Sequence, residues 1–196
     1  MIKIQITGNS AALDADGLAN DVAYASGGYA LTATTSGDSL AHKITVLGNA
    51  ATNHSAKTIT VTGTDADGNV QTETMAGPNG IVTVTTAKFY LTVTSVTIDA
   101  TTNADTFDIG WTAASVSPWY HVNKQPWGPN GVGFGCVVDS GTPTYTVEQQ
   151  YGDGTKFNHA TVASETTSQE GSYTTPVRAI RLSWAAAGGV TLLGWY

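Results

Sequence analysis

The stretch from Val96 to Trp111, VTIDATTNADTFDIGW, returns in altered form as the segment from Ile180 to Trp195, IRLSWAAAGGVTLLGW. Laid over each other without a gap, the two match at Val96/Ile180, Ile98/Leu182, Gly110/Gly194 and Trp111/Trp195, with a soft turn (TTNAD, AAAGG) between two apolar runs. Each reads as two adjacent strands closing a β-domain. The echo extends upstream, where TITVTGTDADGN from Thr58 and TYTVEQQYGDGT from Thr144 both end a strand in an x-Asp-Gly turn. The offset is 86 residues at the upstream match and 84 at the closing one, a drift that a loop-length change accommodates. Self-similarity at a fixed period implies tandem copies of one fold.

Length permits this. A chain of 196 residues has room for two domains of roughly 90 residues, a size that folds without disulfides or metals. A single cysteine, Cys136, excludes an internal disulfide framework. Charged residues make up only 12% of the chain, and the abundant Thr and Val have stiff branched side chains that suit a pleated surface. The expected fold is all-β: two tandem β-sandwich domains, of jelly-roll or immunoglobulin-like type, with a short N-terminal arm.

The divisions follow from the pattern of strands and turns. Residues 1–22 form an arm or edge strand, in which Ile2, Ile4 and Ile6 alternate and GNSAALDADGLAND does not suggest a core. Residues 23–114 form the first sandwich, with strands expected at Tyr29 to Thr35, His42 to Leu47, Lys57 to Thr64, Val70 to Met75, Ile81 to Thr86, Phe89 to Asp99 and Thr106 to Thr112. Turn clusters such as SGDS, DADGN and GPNG separate them, because Gly and Asn accept positive φ. Residues 115–131 hold three prolines and two tryptophans and read as a connector, since proline breaks a central strand. Residues 132–196 form the second sandwich, with strands at Val132 to Val138, Thr142 to Tyr151, Phe157 to Ser164, Ser172 to Leu182 and Val190 to Tyr196, and with Arg178 and Arg181 facing water.

The net charge of −7 comes with only 8 scattered Lys and Arg, so the clustered cations that displace counterions from phosphates are missing and nucleic acid is not an expected partner. MIKIQITGNS lacks the apolar core of a signal peptide, and no run approaches a bilayer span, so the expectation is a soluble chain made in a cytoplasm.

Candidate chemistry is sparse. Asp65, Asp67 and Asn69 in DADGN place carboxylates at alternate positions, as in the start of a calcium loop, but the distal glutamate and flanking helices of an EF-hand are absent. Asp-Gly is a hairpin turn signal, and both copies keep it. None of His42, His54, His121 and His159 falls in a short-spaced ligand pair, so they read as surface or satisfied core residues. Cys136, in the apolar run GFGCVVD, reads as a buried structural thiol. No metal, cofactor or catalytic residue is assigned. The aromatics Trp119, Tyr120 and Trp127 either pack a junction or subunit contact or stack on sugar rings. Trp111 and Trp195 read as core or edge positions.

The run ITVTGTDADGNVQTETMAGPNG followed by VTTAKFYLTVTSVTID resembles small β-proteins found among the structural components of tailed bacteriophages. So does TPTYTVEQQYGDG followed by TTPVRAIRLSWAAAGGVTLLGW; together these runs cover most of residues 57 to 196. The resemblance implies a non-enzymatic virion protein of the capsid decoration or cement type. Such a protein sits on the outside of the major capsid protein shell as a homo-oligomer, a trimer being one candidate. The expected partner-binding residues are Ile2, Ile4 and Ile6 of the arm and Trp119, Tyr120 and Trp127 of the connector. A neck, tail or head-fibre component and a carbohydrate-binding β-sandwich module are the alternatives.

Overall fold

The computed structural model describes residues 3–23, 28–99, 102, 104–122, 131–175 and 177–195. Among them there is no helix. The strands are β1 (Lys3–Ser10), β2 (Asp14–Ala23), β3 (Ala41–Gly48), β4 (Thr58–Thr64), β5 (Val70–Ala76), β6 (Thr83–Thr85), β7 (Thr92–Ile98), β8 (Thr106–Val116), β9 (Tyr120–His121), β10 (Val132–Gln150), β11 (Lys156–Asn158), β12 (Gln169–Tyr173) and β13 (Ala179–Trp195). Pairing places ten of them in one sheet and β5, β4 and β7 in a second, an all-β arrangement consistent with a β-sandwich. The chain divides into two compact units, residues 13–113 and residues 1–12 with 114–196.

In the unit of residues 13–113, Ile59 and Val61 of β4 alternate with threonines, so one face of β4, the central strand of the β5–β4–β7 sheet, is apolar and the other hydroxylated. The apolar face joins Val96, Ile98, Ile44, Val46, Phe107 and Ile109 in a single buried cluster. Burial of side chains this size stabilises by about 1.5–3 kcal/mol each, which makes this cluster the main source of the unit's stability. The segment GNSAALDADGLAND contributes to it after all: residues 14–23 form β2, and Leu18 and Ala19 are buried. What admits this strand is Gly110 on β8, where a Cβ would stand 1.9 Å from the Asp14 carbonyl oxygen. The strand expected at Tyr29 to Thr35 is instead an irregular segment held by bonds such as Tyr29 N–H to Val96 O and Thr32 N–H to Leu18 O.

The other unit is organised by two long strands. β10 and β13 pair antiparallel from Gly133↔Trp195 to Gln150↔Ala179. The opposite edge of β13 is lined in turn by β1, the last residues of β8, and β9. Ile4, Ile6, Phe134, Leu182, Trp184 and Leu192 are buried within this unit. The first strand is therefore a ladder partner of the last, in register from Lys3↔Trp195 to Ser10↔Gly188.

The closing segment differs from its echo. Val96 to Trp111 does span two strands, but Ile180 to Trp195 lies within one, and AAAGG does not turn. The ladder shifts register there, with Gly141 at φ 67° and Gly188 at φ 142°, so the extra residues are absorbed as an irregularity that bends the pair without ending it. The expected strands at Phe157 to Ser164 and Ser172 to Leu182 shrink to β11 and to parts of β12 and β13.

Candidate functional site

The expected partner-binding residues lie in the unit of residues 1–12 and 114–196. Ile2 and Trp127 lie outside the described residues. Ile4 and Ile6 are buried, so they hold β1 against the sheet and do not themselves face a partner. The outward row of β1 is Lys3, Gln5, Thr7 and Asn9. The connector residue Tyr120 pairs with Ile180 through β9, and its hydroxyl donates to the Lys3 carbonyl at 3.4 Å. The two elements singled out from the sequence thus meet.

Trp119 is also engaged. The Arg181 guanidinium lies over its ring, 4.4 Å from the centroid, and Arg181 Nε donates to Glu148 Oε2 at 2.7 Å. Lys156 Nζ donates to the other carboxylate oxygen at 2.9 Å. Arg181 does not face water as expected: its side chain is 13% exposed, because buried Glu148 supplies the opposite charge and Trp119 a π face. One face of Trp119 is consequently occupied by the protein's own guanidinium.

Three of the histidines are buried, each with a structural partner. His42 places Nδ1 2.8 Å from the Thr112 carbonyl and Nε2 2.7 Å from Asp38 Oδ2, while Asp38 also accepts from Ser36 Oγ and Leu40 N–H, tying the 36–40 loop to β3. His54 Nε2 lies 2.9 Å from Asp105 Oδ2, with its ring against Phe107. The hydrogen bonds from Thr52 and then His54 hold the Asp105 carboxyl below its usual range. His159 Nδ1 accepts from the Thr161 and Val162 N–H groups, and its ring packs edge-on against Phe134 and Tyr173. No set of three or more His, Cys, Asp or Glu among the described residues is arranged to hold a metal ion.

In the DADGN turn, Asp65 Oδ1 accepts from the Asp67 and Asn69 N–H groups, and Gly68 adopts φ 83°. Its carboxylate closes the turn. The same occurs in YGDGT, where Asp153 accepts from the Thr155 N–H and hydroxyl, bonds that lower its pKa. Burial pushes the Cys136 thiol up to about 12, so at neutral pH it is a thiol and not the nucleophilic thiolate.

One surface escaped the sequence reading. On the sheet β12–β10–β13–β1 the inward positions are Tyr173, Phe134, Leu192 and Ile4, so the alternate positions face out. They register in rows: Ser172, Gly133, Trp195 and Lys3, then Glu170, Gly135, Leu193 and Gln5. Trp195, expected at a core or edge position like Trp111, is 49% exposed, whereas Trp111 is 8% exposed. The available signal was GVGFGCVV, which puts glycine on one face of a strand and apolar residues on the other, opposite a strand carrying tryptophan.

Compared with known proteins, the chain matches no family model, no curated protein and no solved structure.

Proposed function

We propose that this chain is a non-enzymatic structural protein of a bacteriophage virion, a capsid decoration or cement protein that binds the outside of the major capsid shell as a homo-oligomer. The observation that supports this most is the use made of the reactive side chains. His42, His54, His159, Glu148 and Cys136 are all buried, and the histidines and Glu148 hold loops and strands in place. What the protein offers to a partner is strand edge and sheet surface. The ladder partner of β1 is β13, so the opposite edge of Lys3–Asn9, beside Tyr120, is the place for a strand of the shell to add by main-chain hydrogen bonds. Many copies on one shell let a modest contact accumulate through multivalency. The acidic surface suits a position away from packaged DNA.

The test is electron cryomicroscopy of shells lacking this chain, mixed with the purified protein. Density at capsomer junctions, in hundreds of copies, is the expected result. Density at a single vertex or along a tail would replace decoration with a neck, tail or fibre role. No density on any part of the particle would reject the virion reading.

A further inference from the structure

The outward face of the β12–β10–β13–β1 sheet carries a half-exposed indole with open space beside it. Trp195 lies directly across the ladder from Gly133, and Leu193 across from Gly135. A Cβ added at Gly133 or Gly135 would meet nothing within 4 Å, and neither glycine has a positive φ. Their neighbours across the ladder behave otherwise: at Gly171 and Gly194, both in register with Phe134, a Cβ would approach Phe134 or the Gly133 carbonyl at 2.4 and 3.1 Å. Glycine in a strand interior weakens it, and is kept where backbone needs the room or where something approaches from outside. At 133 and 135 the fold itself does not need the room. An open groove of about 520 Å³ lies beside Gly135, lined by Val137, Ser168, Gln169 and Glu170.

We propose that this face is a carbohydrate-binding site for a neutral oligosaccharide, with Trp195 as its stacking platform. A pyranose ring presents C–H groups on its faces and hydroxyls around its rim. It therefore fits an exposed indole face bordered by amide and carboxylate groups, and the register supplies both. Gln5 and Glu170 flank the row next to Trp195, with Leu193 and Gly135 between them. With strands about 4.8 Å apart, the distance from Gln5 across to Glu170 is roughly 14 Å, which suits more than one sugar residue. A charged polymer is disfavoured because, among the described residues, the two rows beside Trp195 carry one cation, Lys3, and one carboxylate, Glu170, on opposite edges. Trp119 is a poorer platform, since Arg181 covers one of its faces. The inference does not depend on where in a particle the chain resides.

The test is NMR of the ¹⁵N-labelled full chain titrated with hexasaccharides of glucose, mannose and N-acetylglucosamine. The Trp195 indole N–H signal is identified as the one missing from Trp195→Phe. A saturable shift of that signal with at least one sugar is expected, with binding weakened about tenfold or more in Trp195→Ala and in Gly135→Leu. Gly135→Leu fills the groove without touching the core and keeps the test valid if the tryptophan variant is unstable. Three results would overturn the proposal: no movement of the Trp195 signal with any of these sugars at millimolar concentration, binding that survives both variants, or a concentration-dependent dimer that Trp195→Ala abolishes, which would assign the face to a second copy of the chain.

Discussion

Glu148 shows how the ionisable residues are used. It is buried, yet both its oxygens meet a cation, and Arg181, once oriented by the carboxylate, holds Trp119. Glu148→Ala removes the counter-charge from an Arg181 that is itself mostly buried, and a loss of about 3 kcal/mol is expected from urea unfolding. Lys156 is 48% exposed, so Lys156→Ala is expected to cost less than about 1 kcal/mol in the same assay. Asp105 gives the acid side. Its folded-state pKa is held below the ordinary aspartate value by the bonds from Thr52 and His54, so its contribution is present above that ordinary value and is lost as pH falls through the folded one. Asp105→Asn should therefore flatten the fall in urea midpoint as pH drops from neutral through the carboxylate range, leaving the wild type more stable at pH 7. Cys136, with its thiol pushed up to about 12 by burial, should resist a thiol reagent at pH 8 and react fully once urea unfolds the chain; fast labelling of the native protein would contradict the packing described.

At the scale of the element, glycines separate what the fold requires from what it leaves open. Gly110→Ala forces a Cβ to within 1.9 Å of the Asp14 carbonyl oxygen, so β2 must shift from β8, and a loss of about 1–3 kcal/mol or more is expected. Gly133→Ala meets nothing and should be neutral or stabilising by a few tenths of a kcal/mol, up to about 1. Paired thermal melts of the two variants check both. A costly Gly133→Ala would mean that the fold does need that glycine. This contrast also marks the limit of what the sequence made legible. Alternation in KIQI, TITV and VTI was enough to place β1, β4 and β7, because a half-buried strand writes its period into the chain. β2 was hidden because its two buried positions, Leu18 and Ala19, are adjacent between register shifts and its partner strand approaches over a glycine, and neither leaves a period-two apolar signal. AAAGG looked like a turn, yet a run without Asn or Asp can remain extended when a long partner such as β10 supplies bonds on both sides of the irregularity. The Tyr120–Lys3 and Trp119–Arg181 contacts join residues far apart in sequence, which no local pattern reports. Trp195 departs from Trp111 for a related reason: the likeness of the two is one of sequence, whereas exposure depends on which face of the sheet something else covers.

For the molecule as a whole, the decisive connection is that β1 completes the unit that contains β13. Ile4 and Ile6 are buried, and eight residue pairs run from Lys3↔Trp195 to Ser10↔Gly188. Two isoleucines alone are worth on the order of 4 kcal/mol by apolar burial, a large share of the 5–15 kcal/mol by which domains are stable. Removing residues 1–10 would also strip one edge of β13 and expose Val190 and Leu192, which are buried beside it. The deletion is therefore expected to unfold this unit, seen as loss of the near-ultraviolet circular dichroism of its tryptophans and rapid hydrogen exchange in β10 and β13. Were β1 a detachable arm, the deleted chain would keep its urea midpoint and slow exchange, and lose only binding to a partner. The distinction governs how shell binding must be tested. Substitutions at outward positions such as Lys3, Gln5 and Thr7 leave the ladder intact, so loss of shell binding in those variants, with the urea midpoint unchanged, would locate the contact on β1, whereas loss in the deletion variant would report only that the unit had come apart.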